Sequence, residues 1–275
     1  MASTGTIGLL LAIITSLITF SAFRRPSVFE RYAFTVDGIL THREYSRLIS
    51  AGFVHVDWRH LFFNMYALLS FAGTVEWVVG LWKVLVLYLG SLIGGNLLSL
   101  YIHRNDSSYR AVGASGAVAG LIFATIVLYP GLSISPLFLP FRMPAWVFGL
   151  VYTLFSIYGL KSLNDNIGHD AHLGGALAGI FTICLLDTDV VRVNWPFVLL
   201  LTAPTLVFLF FIIKRPDWLY IRGFSLSRHE PESKDERYNR AKFQRQQEID
   251  RILDKINEHG MGSLTEQERR LLKGD

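Results

Sequence analysis

Apolar residues fall into seven long blocks along this chain, at about 5–22, 61–79, 84–102, 115–130, 144–161, 171–187 and 196–213. A helix needs roughly 17–25 such residues to cross the hydrocarbon core of a bilayer, and most of the blocks reach that length with few charges. The block from Ser115 is short alone and lengthens if its first turn lies below the surface. The pattern predicts an all-α polytopic membrane protein. The first block has no basic leading stretch and no Ala-x-Ala-like cleavage site, so it reads as a retained helix and not a signal peptide. Glu76, near the end of the second block, is tolerable only if it faces the bundle interior or the interface.

The connections between blocks are uneven. The longest, roughly 23–60, mixes Trp58 and the basic residues Arg24, Arg25, Arg31, Arg43 and Arg47 with apolar positions. That mixture predicts short amphipathic elements folded on the membrane surface. The other connections, about 4–13 residues long, predict antiparallel neighbours. Small residues gather in the spans, at Gly90, Gly94 and Gly95, at Gly116 and Gly120, and at Gly175 and Gly179. Small-x-x-x-small spacing lets helix backbones approach closely, although glycine is also simply common in membrane helices.

Charge divides the chain. The first 213 residues hold 12 Lys/Arg and 10 Asp/Glu, whereas the last 62 hold 14 and 12. We therefore read a membrane domain at 1–213, a charged linker at 214–246 and a helical hairpin tail at 247–275. Trp218 and Tyr220 suit the membrane interface. In the tail, Ile249, Ile252, Leu253 and Ile256 recur at helical spacing and Gly260 stops that helix. Thr265 and Glu268 form a capping box for a second helix carrying Leu271 and Leu272. So small a hairpin is marginal alone and points to docking on the membrane domain or an unknown partner. A solvated linker with a nascent helix is the competing reading.

Composition narrows the partners. Half of the residues are hydrophobic, and the mean hydropathy is +0.37. The net charge of +4 is too small and scattered to suit nucleic acid. Cys184 is the one cysteine, so an intrachain disulfide is excluded. Lys83, Arg142 and Arg192 lie on one side of the predicted topology. Arg104, Arg110, Lys161 and the basic long loop lie on the other, which the positive-inside rule places in the cytoplasm.

Chemistry concentrates on that loop-bearing side. Ser115 sits in Gly113-Ala114-Ser115-Gly116, and His172 in Ala171-His172-Leu173-Gly174-Gly175. Each opens an apolar block, and one whole block separates the two, so both enter the bilayer from the same face whatever the orientation. A serine needs a base to act as a nucleophile, and His172 is placed to be one. Taken alone, Ser115 equally suits a packed helix crossing. A partner at equal depth favours the catalytic reading. His60 and Asn64, four residues apart, share one face of the second block, where each could donate a hydrogen bond to an oxyanion. A helix cap plus an interhelical hydrogen bond would also explain them. His55 lies outside the block and reads as a fastener for the long loop. Asp170, two residues before His172, is off its helical face and reads as a helix-start residue or local cap, leaving a dyad. His169 and His172 with His55, His60 or Asp57 could hold a metal, but His-Glu-x-x-His is missing.

At these residues the chain resembles the rhomboid family of intramembrane serine proteases. His55-x4-His60-x3-Asn64, Gly113-Ala114-Ser115-Gly116 and Ala171-His172-x2-Gly175-x3-Gly179 match in order and spacing, over roughly residues 5–187. The resemblance implies a six-helix bundle with an added seventh C-terminal helix. It implies Ser115 as nucleophile, His172 as base, and an oxyanion hole from His60, Asn64 and the Ser115 N–H. Arg47 looks like the arginine of the family's Trp-Arg motif, with Ser46 in place of the tryptophan. Glu76 and Gly80 are similar to its Glu-x3-Gly. Many members carry an aromatic residue four after the serine that packs on the catalytic histidine; here that position is Ala119.

The expected activity is an intramembrane serine endopeptidase acting on transmembrane proteins, without cofactor, metal or nucleic acid. An inactive rhomboid-like protein that binds membrane partners is the alternative. A transporter is the rival from another class, and neither inverted repeats nor midplane charges favour it. The expected location is a bacterial cytoplasmic membrane. The resemblance implies an active site opening away from the cytoplasm, against the loop-charge count, and it carries more weight because the basic loop belongs to a folded element.

Overall fold

A computed structural model describes residues 5–135, 141–162 and 167–214, together with Ile252, Lys255, Leu264, Thr265 and Glu268. The chain divides into two compact units, Met1–Ile221 and Arg222–Asp275. Among the described residues of the first unit, seven apolar helices fall on the seven predicted blocks: α1 (Thr6–Arg24), α5 (Trp58–Val79), α6 (Leu81–His103), α7 (Ser115–Leu128), α8 (Ala145–Ser162), α9 (His169–Leu186) and α10 (Thr188–Lys214). Five of them are long and apolar enough to cross a membrane, and α7 and α8 are shorter apolar helices. Two connections are tighter than expected. Gly80 alone separates α5 from α6, and Asp187 alone separates α9 from α10. α6 and α10 begin before their apolar blocks do, at Leu81 and Thr188, and so consume the loops that hydropathy suggested.

The short helix α7 lies in the middle. Every residue from Gly116 to Val127 is buried. A helix apolar on all sides belongs in a core, so α7 need not face lipid along its length. Its packing against α9 is glycine on backbone. A Cβ on Gly175 would overlap the Gly116 carbonyl, and one on Gly179 would overlap Gly120. On the third side, α6 joins the same seam: a Cβ on Gly174 would lie 2.8 Å from the Gly94 carbonyl oxygen, and one on Gly95 would lie 2.6 Å from that of Ala171. Outward-facing positions such as Trp77, Trp82, Tyr158 and Phe181 are exposed apolar side chains, as a lipid-facing surface requires.

Polar groups close the ends of these helices. The Glu76 carboxylate on α5 accepts the backbone N–H groups of Thr6 (2.9 Å) and Ile7 (3.0 Å), two of the four N–H groups that α1 cannot satisfy itself. The acidic residue in the second block is thereby explained as a cap for the first. At the far end of α7, the Asn194 amide donates to the carbonyls of Val127 (2.8 Å) and Leu128 (3.3 Å). Asn194 is where α10 breaks, at φ −108 and ψ 19, two residues before Pro196. Proline inside a helix removes a hydrogen bond and clashes with the preceding turn, which accounts for the kink.

The long loop folds as expected into short elements: α2 (Pro26–Tyr32), β1 (Phe34–Thr35), α3 (Val36–Leu40), α4 (Arg47–Ser50) and a 3-10 turn at Ala51–Phe53. β1 pairs antiparallel with β2 (Arg110–Ala111), matching Phe34 to Ala111 and Thr35 to Arg110, which ties the loop to the stretch leading into Ser115. A second two-stranded ribbon, β3 (Ser133–Ile134) with β4 (Met143–Pro144), links α7 to α8. In the second unit, Thr265 N–H donates to Glu268 Oε2 (2.8 Å) and Glu268 N–H to Thr265 Oγ1 (3.3 Å), the reciprocal bonds of a capping box. Thr265 and Lys255, which also binds Glu268, hold that carboxyl down at about 2, the backbone N–H of Thr265 acting most strongly. Linker residues 215–246, including Trp218 and Tyr220, and the tail positions Ile249, Leu253, Ile256, Gly260, Leu271 and Leu272 lie outside the described residues.

The seam makes a stability prediction. Gly175→Ala should destabilise the bundle by about 1–3 kcal/mol, as overpacking does, because the added methyl meets rigid backbone. Gly90→Ala, whose methyl would meet only the Thr182 hydroxyl at 3.3 Å, should be close to neutral. Unfolding in mixed micelles, titrated with denaturing detergent, measures both.

Candidate active site

Ser115 is the first residue of α7, and the residue before it, Ala114, has φ −77 and ψ 0. The first N–H groups of a helix have no intrahelical acceptor, so this end presents donors beside the Ser115 hydroxyl. His172 lies in the first turn of α9, its N–H bonded to the Gly168 carbonyl at 3.0 Å. The residues adjoining the two, Gly116 and Ala171, touch: a Cβ on Gly116 would lie 3.1 Å from the Ala171 carbonyl oxygen. The glycine seam therefore brings the Ser115 and His172 ends of α7 and α9 against each other with no side chain between their backbones.

The beginning of α5 supplies the next side chains. Asp57 caps this helix by accepting the His60 N–H at 2.7 Å, and that bond, more than any other influence, holds its carboxyl below the usual range. Gly113, at φ +126, crosses directly over His60, and a Cβ there would lie 2.6 Å from the imidazole Cε1. Both the backbone angle and the contact require glycine. Asn64 is buried, and its amide donates to the His60 carbonyl at 3.1 Å. An amide carries two N–H bonds, so a second remains for another acceptor. His60 and Asn64 are thus brought to the Ser115 end of α7.

His55 is fully buried and fastens three elements. Its Nε2 accepts the N–H of Ala114 at 3.3 Å, the peptide immediately before Ser115. Its Nδ1 lies 3.1 Å from Thr19 Oγ1 on α1, and that hydroxyl donates to the Phe53 carbonyl at 3.1 Å. With Nε2 accepting, the proton belongs on Nδ1, which donates to Thr19. The chain of bonds works only for a neutral ring. Burial, followed by the neighbouring His60, pushes the His55 pKa down to about 3, against an opposing pull from Asp57.

Two supporting residues lie away from this centre. Arg47 donates to the carbonyls of Glu30 (2.8 Å) and Ala33 (2.6 Å), closing the end of α2, and pairs with Glu44. Glu76 sits at the opposite end of α5, on α1. Gly179 lies one turn beyond Gly175, within the seam.

Asp170 lies in the first turn of α9, the helix-start position expected of it, but it does not act as the local cap. Gly168 occupies the N-cap position of α9, and no side chain caps it. The buried Asp170 carboxylate instead reaches His103 Nε2 at the end of α6 (3.0 Å) and accepts the Tyr109 hydroxyl (3.3 Å). The His103 and Tyr109 rings stack at 3.6 Å with 5° between their planes. Burial, with the nearby Asp170 charge second, raises the Tyr109 pKa, so its hydroxyl stays protonated and donating. Sequence spacing could not pair positions 103 and 170. Among the described residues no group of three or more His, Cys, Asp or Glu is arranged to hold a metal ion.

Protonating His55 would cost the Ala114 bond, which sets a pH dependence. An unfolded histidine takes a proton near pH 6.5 and the folded one only near 3. Stability is therefore complete above about pH 6.5 and falls as pH drops towards 3, by up to about 1.4 kcal/mol per pH unit. Unfolding compared at pH 7 and pH 4.5 should show that His55→Gln, which cannot take the proton, loses less on acidification than the wild type.

A family model for the rhomboid domain matches residues 42–187, more than half of the chain. A second model, described as a family of unknown function, matches residues 232–274. The chain is 27% identical to the mitochondrial RHOMBOID-like protein 12 of Arabidopsis thaliana, over 62% of this chain and 54% of that protein. It is 31% identical to the mitochondrial Rhomboid protein 1 of Saccharomyces cerevisiae, over 48% of this chain and 39% of that one. It is 30% identical to the rhomboid protease GluP of Bacillus subtilis, over 54% and 28% respectively. The chain thus spans about half, or less, of the length of these curated relatives. With the matched region running from the long loop through α9, the chain belongs to the rhomboid family and is an integral, multi-pass membrane protein.

Proposed function

We propose that this protein is an intramembrane serine endopeptidase that hydrolyses peptide bonds in or beside transmembrane segments. The observation that carries this reading is the seam between Gly116 and Ala171, which sets the helix starts bearing Ser115 and His172 against each other beside His60 and Asn64. The rhomboid protease named among the relatives supports it.

In this mechanism the Ser115 hydroxyl oxygen bonds to the scissile carbonyl carbon while its proton passes to a neutral His172 ring. The resulting oxyanion is met by the Ser115 N–H and by donors from His60 and Asn64, in a setting where fixed dipoles act strongly. When the peptide C–N bond breaks, His172 returns the proton to the departing amine. Water then attacks the ester, gives its proton to His172, and Ser115 leaves with that proton restored. A substrate helix hides its carbonyls in i→i−4 bonds, so segments that unwind easily, with Gly, Pro or polar residues near the membrane edge, are the preferred class. Because the base must be neutral, the rate falls at acid pH.

A bacterial cytoplasmic membrane, the expected location, is not singled out by relatives whose names place them in mitochondria as well as in a bacterium. The orientation we propose opens the Ser115 end away from the cytoplasm. The tail unit has no serine and base arranged for catalysis in its sequence, and we assign it to docking or partner choice.

The test is cleavage of single-span substrates by detergent-purified protein. Ser115→Ala and His172→Ala should abolish cleavage while the bundle stays folded, and turnover by a verified Ser115→Ala preparation would refute the reading. Asn64→Ala should lower kcat about a hundredfold or more with KM nearly unchanged, as a donor used mainly in the transition state requires. Truncation after residue 222 should leave turnover per folded molecule within about a few-fold of the full chain.

A further inference from the structure

The imidazole of His172 has a neighbour that none of the sequence motifs supplies. Tyr152, on α8, lies with its ring centre 5.8 Å from that of His172 and its plane tilted by 32°. The Tyr152 ring is itself held by Phe123 of α7, 5.7 Å away and edge-on at 66°, and by Phe148 of its own helix at 6.1 Å. Ser115, Ala119 and Phe123 succeed one another at four-residue steps along one face of α7. Ala119 is fully buried yet offers only a methyl group, and Phe123 lies a turn deeper. The aromatic surface beside the base comes from α8 instead.

A second row keeps this contact in register. Phe155, three residues beyond Tyr152, packs edge-on against His169 at 5.3 Å, and His169 lies edge-on to His172 at 6.1 Å. Gly159 makes room for His169, since a Cβ there would overlap its ring. Tyr152 and Phe155 on α8 therefore mesh with His172 and His169 on α9, and sliding one helix along the other would break both contacts.

We propose that Tyr152 is a positioning residue for His172, its ring restricting the imidazole to orientations that face Ser115. The inference rests on the protease reading above and adds to it that the base is set by a helix carrying neither member of the dyad. An imidazole turns about two side-chain torsions, and proton transfer needs one narrow setting of them. Losing the ring should slow the chemical step and leave substrate binding alone. The work belongs to the ring face, so phenylalanine can replace tyrosine.

The experiment uses the full-length protein in detergent, with a single-span substrate, a fluorophosphonate probe that acylates an activated serine, and NMR of carbon-13-labelled histidine. Tyr152→Phe should keep kcat, KM and acylation rate within about twofold of wild type. Tyr152→Leu should lose about tenfold or more in kcat and in acylation rate, with KM within about twofold. In the same variant the His172 Cε1–H signal should move as the tyrosine ring current disappears, whereas Tyr152→Phe leaves it nearly in place. If Tyr152→Leu fails to fold, Tyr152→Met, closer in reach, carries the same readouts. Wild-type kcat in the leucine or methionine variant overturns the proposal, as does a phenylalanine variant damaged as badly as leucine. If the wild type neither cleaves nor acylates, the protease reading fails. The histidine signal then still decides the ring contact, and an unmoved signal in Tyr152→Leu overturns it.

Discussion

Inside a bilayer the hydrophobic effect no longer drives helices together, because lipid tails are as apolar as the side chains they would replace. What remains is close packing, and in this protein it is backbone against backbone along α6, α7 and α9. Gly94, Gly95, Gly116, Gly120, Gly174, Gly175 and Gly179 all lie where an added Cβ would press on a neighbouring helix. The same approach that collects dispersion energy leaves little room for a side chain between Gly116 and Ala171, the neighbours of Ser115 and His172. Packing and the proposed chemistry therefore depend on one seam. This also explains how a helix of 14 residues can serve as the centre of a membrane bundle: its neighbours, and not lipid, surround it.

Such tight packing leaves helix ends with backbone groups that lipid cannot satisfy, and the solution here is to cap a helix with a side chain from another segment. Glu76 serves α1, Asn194 serves α7 at its far end, and His55 takes the N–H of Ala114 just before α7 begins. The Glu76 and Asn194 caps also fix the relative height of two helices. His55 differs in consequence from the other two, because the peptide it holds adjoins Ser115. A side chain that sequence reading assigned to fastening a loop thus fixes the entry of the chain into the site.

Legibility in the sequence followed the range of the interaction. Blocks of apolar residues revealed seven helices because each helix must solve its own backbone hydrogen bonding before it meets a neighbour. His60 and Asn64, four apart, were readable as one face, and Thr265 with Glu268 as a capping box, for the same local reason. The long loop's amphipathic composition foretold short elements, although not that Arg47 would close α2 by binding the Glu30 and Ala33 carbonyls. Contacts between distant segments were hidden. Nothing local to Asp170 indicates His103 or Tyr109: its place at the start of α9 was readable, but its carboxylate, engaged across the α6–α9 boundary, does not cap the helix. Hydropathy also overstated the loops at Gly80 and Asp187, since it records where an apolar block begins and not where its helix does.

Ala119 is the instructive intermediate case. Resemblance made its small side chain visible as a gap beside the base, yet the sequence held many aromatic residues and no rule to choose among them. The choice depends on how α8 crosses α7 and α9, and that crossing is set by Phe123 beneath Tyr152 and by the slot that Gly159 opens for His169. The helices thereby divide the task. α7 and α9 are locked by backbone contact, which permits little relative movement. α8 reaches the site through side-chain rings and not through backbone contact. Under the proposed mechanism, the distance between nucleophile and base is then the rigid quantity, and the orientation of the base is the adjustable one. Substitutions along α8 should accordingly alter rate more readily than fold, while those along the seam should do the reverse.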